Sequence, residues 1–457
     1  MNRKSVRKLA LEIVLRWEEK KSDVSGILDR VIRAERLQDV DKSLLTELVY
    51  GVLRWRRRLD YIVKNFTHSR RKLDNLTLNI LRLGAYQLII TDKIPPYAAI
   101  NESVELAKPH RGRKRFVNAI LRAIQRDTHP RPLQGGEGTE IKYPNKDENP
   151  IQYLSLRYSY PQWMVARWIK RHGFDWTAAF CEASNQVAPL CIRTNTLRAN
   201  RDDLAELLKQ EGVEVSYSVI APEGLRLRKY PTVTKLSAYK RGWFQIQDES
   251  SMLTTHILDP QPGEFIIDVC AAPGGKTTHI AQMMQNRGKI FAFDISETKL
   301  AFIKENCQRL KIEIVTPMKF DAAVIYEPFT NKADRVLADV PCSNLGVLRR
   351  HPEVRWRKTE SQITALSELQ YAILKSASNY LKPDGILVYS TCSVEPEENE
   401  QVVMRFLSEH PNFEIENVTP FLPQLNKGLV SDTGYMQTYP HLHDMDGFFV
   451  ARMRRTL

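Results

Sequence analysis

From about residue 263 the sequence alternates between short apolar runs and amphipathic segments, and this alternation restricts the fold more than any other feature of the chain. FIIDVC and KIFAFDIS are typical of buried strands, whereas KTTHIAQMMQ and ETKLAFIKENCQRL have helical spacing. Strands that alternate with helices form a doubly wound, mostly parallel sheet. We therefore predict an α/β domain over residues 251–457.

Two cysteines fifty residues apart follow predicted strands of this sheet. Cys342 comes directly after RVLADVP, and Cys392 comes directly after GILVYST. Ligands of an open α/β sheet bind outside the carboxyl ends of the strands, so both thiols are expected to face one crevice. A thiol is a good nucleophile only as thiolate, which requires a polar and partly open setting. Two such thiols beside a nucleotide-type cofactor predict covalent attack on a pyrimidine ring followed by methyl transfer.

A turn of small residues, CAAPGGK at Cys270–Lys276, opens the first helix of this domain. It does not match G-x-x-x-x-G-K-[ST], because Cys270 stands where that pattern needs its first glycine, and it does not match G-x-G-x-x-G. Small residues let the backbone amides of a helix N-terminus approach a ligand closely. Gly-Gly also occurs in strand-to-helix turns without a ligand, but the density of small residues after Asp268 favours a binding site.

Carboxylates end two further strands of the predicted sheet. Asp294 follows the second strand, where a carboxylate commonly holds ribose hydroxyls. Asp321 follows the third strand, where its carboxylate could accept a hydrogen bond from an adenine amino group. Taken singly, each could instead be a helix N-cap. Together with the glycine turn they predict an adenosine site.

Positive charge is concentrated in the amino-terminal part of the chain. Residues 1–128 contain 28 Lys and Arg against 15 Asp and Glu, whereas the remainder contains 39 of each. Basic runs occur at 54–58, 70–72 and 111–115. Concentrated positive charge attracts a phosphate backbone. A solvated helix face is the alternative for any single run, but three runs in one region favour a nucleic-acid partner.

The segments before the α/β domain differ in composition. Residues 1–128 carry apolar residues at helical spacing throughout. Residues 129–150 are rich in proline, glycine and charge and are predicted to be a linker. Between 151 and 250, an amphipathic helix at 161–172 and several short strands predict a small α+β module.

Cysteine spacing and hydropathy argue against several classes of protein. The six cysteines include no C-x-x-C pair and no close Cys/His cluster, so we predict no metal site. No apolar stretch of about 18 residues is present, and the N-terminus lacks the apolar core of a signal peptide. We therefore predict a cytoplasmic protein without a membrane span.

The motifs DVCAAPGGKT, DVPCSNLGVLRRHPE and STCSVEPEENE resemble the motif set of the RNA cytosine-5 methyltransferases. The basic N-terminus resembles a NusB-like domain, and the order of domains is similar to that of the Sun/Fmu branch, which acts on bacterial small-subunit (16S) rRNA. The resemblance covers nearly the whole chain. It implies a multidomain protein: an all-α NusB-like domain, a small α+β module, and a Rossmann-like methyltransferase domain with a mostly parallel sheet.

The resemblance also implies roles for individual residues. Cys392 attacks C6 of cytosine, S-adenosyl-L-methionine supplies the methyl group, and Cys342 assists removal of the C5 proton and release. Asp339 holds the base edge at N3 and N4. The implied cofactor-binding residues are Cys270, Ala271, Ala272, Pro273, Gly274, Gly275, Lys276, Asp294, Asp321 and Asp339. Asn344 and Leu345 lie where family members vary, which implies little effect on activity.

Arginine and lysine clusters supply the predicted RNA contacts. We predict that Arg113, Lys114, Arg115, Arg349 and Arg350 bind RNA phosphates. The predicted partner is small-subunit ribosomal RNA, bound by a monomer. Two alternatives stay open: the same chemistry on tRNA, and a non-catalytic RNA-binding assembly factor. The presence of both thiols and all the carboxylates disfavours the second alternative.

Overall fold

The computed structural model describes residues 5–20, 23–67, 73–91, 94–108, 110–128, 141–423 and 428–456. The basic run at 70–72 and most of the predicted linker, 129–140, lie outside the described residues. The predicted roles of those segments are therefore not addressed by the structure.

The helices and strands have the following bounds. The helices are α1 (Val6–Lys20), α2 (Val24–Ala34), α3 (Asp39–Phe66), α4 (Asn75–Ile89), α5 (Pro96–Leu106), α6 (Arg111–Thr128), α7 (Pro150–Arg157), α8 (Gln162–His172), α9 (Phe174–Ala183), α10 (Arg201–Gln210), α11 (Ser237–Lys240), α12 (Glu249–Leu258), α13 (Gly275–Met283), α14 (Glu297–Leu310), α15 (Val354–Arg357), α16 (Glu360–Ser378), α17 (Glu400–Glu409) and α18 (Pro440–His443). The strands are β1 (Leu190–Thr194), β2 (Glu214–Tyr217), β3 (Gly224–Arg228), β4 (Phe244–Ile246), β5 (Phe265–Asp268), β6 (Lys289–Asp294), β7 (Val315–Lys319), β8 (Ala333–Asp339), β9 (Leu381–Thr391), β10 (Phe413–Glu416), β11 (Met436–Thr438) and β12 (Phe448–Arg455).

The chain forms two compact units, and the first is helical. This helical unit comprises Met1–Asn185 and His351–Arg357. Its core is built from the apolar faces of α1, α3 and α4, and Trp17, Leu48 and Leu83 are fully or almost fully buried there. The all-α prediction for residues 1–128 is confirmed by α1–α6.

Three further helices, α7–α9, also belong to the helical unit. We predicted them as part of the middle module, so the compact units divide the chain differently from the predicted domains. Trp168 of α8 packs edge-on against Tyr160 and Phe180, and all three side chains are fully buried. Aromatic side chains of this size bury large apolar areas, which packs α8 and α9 against one another.

A short segment from far along the chain completes the helical unit. Arg355 is fully buried and donates hydrogen bonds to Ser159 O at 3.2 Å and to Asn185 Oδ1 at 2.9 Å. Its guanidinium also lies 3.9 Å from the centroid of the Tyr160 ring. Trp356 Nε1 donates to Leu53 O at 2.6 Å. Helix α15 thus places two of its side chains in structural contacts of this unit.

The basic run at 54–58 is largely a packing feature. Arg54 is only 8% exposed, and Arg56 forms an ion pair with Glu18 at 2.6 Å. Glu18 also pairs with Arg82 at 2.8 Å. A buried cation is stable only when it is paired and hydrogen-bonded. The pair with Glu18 engages Arg56 within the unit, and Arg54 is covered rather than displayed on the surface. The run at 111–115 differs, because Arg115 is exposed at the start of α6.

The second unit, Gln186–Arg350 and Lys358–Leu457, contains two sheets. The smaller is an antiparallel sheet with the order β2-β3-β1-β4, and α10 packs on it through Leu204 and Leu208. This is the α+β module that the short elements predict. The larger sheet has the order β10-β12-β9-β8-β5-β6-β7.

The larger sheet is parallel from β7 to β9; β12 runs antiparallel to β9, and β10 pairs antiparallel with β12. Its central strands are apolar on both faces: Leu337 packs in one cluster with Ile280 of α13, and Val336 packs in another with Leu374 of α16. Strands covered on both faces are near-continuous apolar runs, as here. The mostly parallel sheet is confirmed, and it brings the carboxyl ends of β5, β6, β8 and β9 to one edge.

None of the helices in the described parts of the chain combines the length and the apolar character that a membrane span requires.

Candidate active site

The two predicted thiols meet at the carboxyl edge of the larger sheet. The Sγ atoms of Cys342 and Cys392 are 3.1 Å apart. Cys342 is 7% exposed, whereas Cys392 is partly exposed. The hydrogen bond with Cys392, followed by burial, raises the pKa of the Cys342 thiol well above its usual value. The Cys342 thiol is therefore held in its protonated form.

Strand register explains why thiols so distant in the sequence come together. Strands β8 and β9 are parallel neighbours, and Asp339 of β8 lies opposite Ser390 of β9. Val340 N donates to Ser390 O at 3.1 Å, which extends the pairing past the end of β8. Each cysteine follows this level by two or three residues, so the two turns leave the sheet side by side.

Asn344 contacts both thiols, which the sequence did not indicate. Its Oδ1 lies 2.9 Å from Cys392 Sγ and 3.5 Å from Cys342 Sγ. Its backbone is in the left-handed region, with φ of 62°, where asparagine is tolerated better than most residues. The expectation that Asn344 has little effect on activity is not supported by this position.

A close approach of two glycines fixes the turn that carries Cys392. Gly346 N donates to Cys392 O at 2.9 Å, and Gly447 N donates to Gly346 O at 2.9 Å. A Cβ atom on Gly346 would lie 1.9 Å from Gly447 O and 2.8 Å from Cys392 O. Only glycine fits here, and the backbone after Cys342 can therefore lie directly against Cys392.

Asp339 is held in place by two side chains beside the thiols. Lys276 Nζ lies 2.7 Å from its Oδ2, and Ser390 Oγ donates to its Oδ1 at 2.8 Å. Lys276 comes from the glycine turn, and its ammonium also lies 4.8 Å from the centroid of the Phe448 ring. One ion pair thus connects the predicted cofactor turn to the predicted base-binding carboxylate.

The glycine turn folds tightly at the end of β5. Ala271 N donates to Phe293 O at 2.8 Å, and Gly274 N donates to Ala271 O at 2.8 Å. Gly274 has φ of 98°, and the Ala272–Pro273 peptide bond is cis. A Cβ atom on Gly275 would find open space within 4 Å, at the start of α13. The turn therefore presents a helix N-terminus to an open volume, as an adenosine site requires.

Four carboxylates surround the thiol of Cys270. Burial, and then the charges of Asp268, Asp339, Asp294 and Asp321, raise the pKa of this thiol well above its usual value. Burial also raises the pKa of Asp268 to about 7, and its Oδ2 accepts a hydrogen bond from Thr277 Oγ1 at 2.7 Å. The predicted cofactor residues thus share one neighbourhood.

Asp294 and Asp321 each stabilise a turn with one carboxylate oxygen. Asp294 Oδ1 accepts from Ser296 N at 2.8 Å, and Asp321 Oδ1 accepts from Ala323 N at 3.0 Å. Ser296, rather than Asp294, is the N-cap residue of α14. These contacts fit a turn role and occupy one oxygen of each carboxylate, so a ligand role for both residues stays a prediction.

Arg349 and Arg350 were predicted to bind RNA, and the structure corrects this. Arg349 is 3% exposed and pairs with Asp446 at 2.8 Å. Arg350 pairs with Asp446 at 2.6 Å and with Asp248 at 2.6 Å. Breaking buried ion pairs to reach a phosphate is costly. Both arginines instead anchor the segment after Cys342 within their own unit.

A histidine and carboxylate cluster lies outside this site and was not predicted. Glu223, His256 and His279 offer three possible metal-ligand atoms within 4.8 Å of one another. Both Nε2 atoms lie at hydrogen-bond distance from Glu223 Oε1, 3.1 Å for His256 and 3.0 Å for His279. Burial and the nearby charge of Arg193 lower the pKa of His279 to about 4. The same guanidinium charge opposes a bound cation, so we interpret the cluster as a hydrogen-bonded link from the residue before β3 to α12 and α13.

Arg193 of β1 supports the glycine turn from the small sheet. It is 1% exposed and donates to Gly275 O at 2.7 Å, Thr278 Oγ1 at 3.1 Å and Gln282 Oε1 at 3.1 Å. We predicted short strands in this region but assigned no role to the arginine. A charged residue inside a buried strand was the available signal.

Three family models match the chain. They are 16S rRNA methyltransferase RsmB/F over residues 255–454, the NusB family over residues 4–126, and the Methyltr_RsmF/B-like, ferredoxin-like domain over residues 160–234. The matches follow the predicted order of an all-α, an α+β and an α/β domain. The third match begins at residue 160, just before α8, and therefore includes helices that the structure places in the helical unit.

Similar proteins cover the full length of the chain. The probable ribosomal RNA small subunit methyltransferase B of Bacillus subtilis is 37% identical over 100% of both chains. The protein of the same name from Synechocystis is 36% identical over 99% of both. The crystal structure of PH0851 is 28% identical, with a TM-score of 0.80 over 100% of this chain and 99% of that one. NSun6 from Pyrococcus horikoshii, solved with SFG, is 26% identical, with a TM-score of 0.60 over 66% of this chain and 99% of that one.

Proposed function

We propose that this chain, which belongs to the 16S rRNA methyltransferase RsmB/F family, transfers a methyl group from S-adenosylmethionine to C5 of a cytosine in small-subunit rRNA. Family membership supports rRNA methylation; the C5 position and the covalent route are our proposal. The observation that carries it is the 3.1 Å separation of the Cys342 and Cys392 sulfurs beside Asp339.

The residues around the glycine turn fit the cofactor. We propose that Cys270–Lys276 binds it through backbone amides, that Asp294 holds the ribose, and that Asp321 accepts from the adenine amino group. The donor set fits an adenosine, because carboxylates accept from hydroxyl and amino groups and the turn leaves space at Gly275. When bound, S-adenosylmethionine supplies an electrophilic methyl group.

Cys392 is the proposed nucleophile. C5 of cytosine is a poor nucleophile, and attack of Cys392 Sγ on C6 converts the ring into an enamine with electron density at C5. Cys392 is partly exposed at the strand edge and can therefore reach a base, whereas Cys342 is nearly covered. Asn344 Oδ1 at 2.9 Å orients the Cys392 thiol.

Cys342 is the proposed base for the second half of the reaction. Its high pKa in the resting protein comes first from the hydrogen bond with Cys392. Once Cys392 is bonded to C6, its sulfur is an uncharged thioether, and that contribution ends. Cys342 then loses its own proton to solvent and, as a thiolate, takes the C5 proton; the electrons of the C5–H bond re-form the C5–C6 double bond, and the C6–S bond breaks with its electrons leaving on the Cys392 sulfur.

Asp339 is the proposed contact to the base edge at N3 and N4. Both of its oxygens are already placed, by Lys276 and by Ser390, so the carboxylate is preorganised before the base arrives. A base inside a paired stem cannot reach two thiols at the end of a sheet. The target is therefore a loop cytosine or one that is flipped out.

The helical unit is the proposed source of RNA affinity, through Arg113, Lys114 and Arg115. Arg113 is partly engaged, because its Nε donates to Thr77 Oγ1 at 3.0 Å. The predicted domain limits 1–128, 129–150, 151–250 and 251–457, and the monomeric state, stay predictions. A tRNA substrate is the alternative, and the names of the full-length relatives favour rRNA.

The proposal is tested by methyl transfer to defined RNA. The protein is incubated with S-adenosylmethionine labelled in the methyl group and with unmodified small-subunit rRNA or tRNA, and the product is mapped by bisulfite sequencing. We expect incorporation into rRNA at one protected cytosine. Incorporation only into tRNA supports the alternative substrate, and label at any position other than cytosine C5 contradicts the proposal.

A further inference from the structure

Glu398 lies beneath the two thiol turns and is completely buried. It belongs to a short 3-10 turn, Pro396–Glu398, that precedes α17. Buried carboxylates are rare unless their oxygens are hydrogen-bonded. This one is fully engaged, although the sequence PEENE suggests a surface rich in charge.

The Glu398 carboxylate accepts hydrogen bonds from both thiol turns. Oε1 accepts from the backbone N of Ser343 at 2.7 Å, and Oε2 accepts from the hydroxyls of Ser343 and Ser393 at short distances. The two serine hydroxyls are also 3.1 Å apart. Ser343 directly follows Cys342, and Ser393 directly follows Cys392. One carboxylate thus clamps the residues next to both sulfurs.

A fourth donor connects the Glu398 carboxylate to helix α16. Gln370 of α16 donates through Nε2 to Glu398 Oε1 at 3.0 Å and to Pro341 O at 2.9 Å. The residues before and after Cys342 are therefore both tied to Glu398, directly or through one side chain.

The neighbouring Asn399 holds the second turn. Its Oδ1 accepts from Thr391 Oγ1 at 2.6 Å, and its Nδ2 donates to Ser393 O at 3.1 Å. Through these two hydrogen bonds, Asn399 contacts only residues next to Cys392. Glu398 is the residue that joins the two sides.

We propose that Glu398 is a positioning residue that sets the separation of the Cys342 and Cys392 sulfurs. The inference rests on the proposed function for its catalytic meaning, but the geometric claim stands on the contacts alone. Hydrogen bonds to a charged acceptor are stronger than neutral ones. Four such hydrogen bonds to one buried carboxylate therefore fix the turn after Cys342 and the turn after Cys392 relative to each other.

The negative charge has a second effect. Together with the Cys392 hydrogen bond, burial and the Cys392 charge, Glu398 contributes to the raised pKa of Cys342. Geometry and charge are separable by substitution. Glu398→Gln keeps an oxygen for Ser343 N and an amide that can donate to the two hydroxyls, whereas Glu398→Ala removes every partner.

The test measures how fast the two thiols form a disulfide, which depends on their separation and requires neither RNA nor cofactor. Diamide oxidises two adjacent thiols to a disulfide and takes up their two protons and two electrons to become a hydrazine. The full-length protein and its Glu398→Ala and Glu398→Gln variants are treated with diamide, and the Cys342–Cys392 disulfide is followed by peptide mass spectrometry. Glu400→Ala and Glu400→Gln, on the partly buried glutamate that begins α17, are the matched controls.

We expect Glu398→Ala to slow disulfide formation by about tenfold or more, and Glu398→Gln to keep it near the wild-type rate. In methyl transfer, Glu398→Ala should lower kcat by about 10²-fold, the order of effect of a misplacement of about 1 Å, with KM for S-adenosylmethionine unchanged. The Glu400 variants should match the wild type in both assays. A merely structural role would lower the melting temperature without changing the disulfide rate of the folded fraction.

Disulfide formation and kcat that are both unchanged in Glu398→Ala would overturn the proposal. If the wild-type protein forms the disulfide rapidly and Glu398→Ala slowly, while neither methylates cytosine, the positioning claim holds and the proposed function fails. If Glu398→Ala does not fold, Ser343→Ala decides, because it removes one hydroxyl donor from the carboxylate. A slower disulfide in Ser343→Ala supports the clamp, and an unchanged rate contradicts it.

Discussion

Asp339 and Ser390 lie opposite one another on parallel strands β8 and β9, and the Ser390 hydroxyl donates to the Asp339 carboxylate at 2.8 Å. This pair marks the level at which both strands leave the sheet. Beyond it, each chain needs only a few residues to reach its thiol. A register slip of one residue would turn one of the two side chains to the opposite face of the sheet, so sheet pairing and the proposed chemistry depend on the same contacts.

Removing the carboxylate of Asp294 should weaken cofactor binding. Asp294→Ala loses the proposed hydrogen bonds to the ribose, which we expect to cost about 1–3 kcal/mol of binding free energy. Isothermal titration calorimetry with S-adenosylmethionine measures it. Asp294→Asn still accepts from Ser296 N and separates the turn contact from the ribose contact, and Glu297→Ala, on an exposed side chain in the same helix start, is the control. Equal affinity in Asp294→Ala and wild type would leave Asp294 a turn residue only.

Burial of Asp268 should make folding stability depend on pH. Its pKa is raised to about 7 in the folded protein, against about 3.9 in an unfolded chain. Between these values the folded state binds the extra proton, so stability falls as pH rises from about 4 to about 7 and stays lower above. Asp268→Asn cannot titrate. Urea denaturation at pH 5 and pH 8 should show a smaller loss of stability in the variant than in the wild type, and identical pH dependence contradicts the buried-acid assignment.

The basic start of α6 should carry part of the salt-dependent RNA affinity. Replacing Arg113, Lys114 and Arg115 by Ala should reduce the slope of log affinity against log salt by about two to three if all three contact phosphate. The charge-matched control replaces three exposed lysines of the second unit together by Ala: Lys299, Lys304 and Lys332. An unchanged slope in the first triple variant would identify α6 as a solvated surface.

Asn344 should influence the reactivity of Cys392. Asn344→Asp places a carboxylate where Oδ1 now lies 2.9 Å from the Cys392 sulfur. Its negative charge disfavours a thiolate, so the pH–rate profile for methyl transfer should shift to higher pH. Asn344→Gly tolerates the φ of 62° and removes the contact without adding charge. Its profile should show no alkaline shift, and a profile for Asn344→Asp equal to that of the wild type contradicts a contact in solution.

The sequence predicts the fold well where local patterns and fold rules suffice. Apolar runs at β8 and β9 followed by Cys342 and Cys392 place both thiols at one sheet edge, because the carboxyl ends of parallel strands converge there. The same reasoning gives the positions of the glycine turn and of Asp294.

The site predictions that fail concern side chains whose partners lie far away in the sequence. Arg349 and Arg350 resemble a phosphate-binding pair until Asp446 and Asp248 are seen to neutralise them. Those acids lie about a hundred residues away along the chain, and no periodicity reports such pairing. Glu398 shows the opposite error: its charged segment suggests an exposed side chain, yet its carboxylate is buried.

The covalent step is tested most directly by trapping. Three variants are each incubated with small-subunit rRNA and S-adenosylmethionine: Cys392→Ala, Cys342→Ala and the control Cys307→Ala, which replaces a buried thiol in α14. Covalent protein–RNA species are then measured by denaturing electrophoresis and intact mass. We predict no adduct and no turnover for Cys392→Ala, an accumulated adduct for Cys342→Ala because its C5 proton is removed slowly, and normal turnover for Cys307→Ala. An adduct in Cys392→Ala with none in Cys342→Ala would contradict the assignment by reversing the two roles.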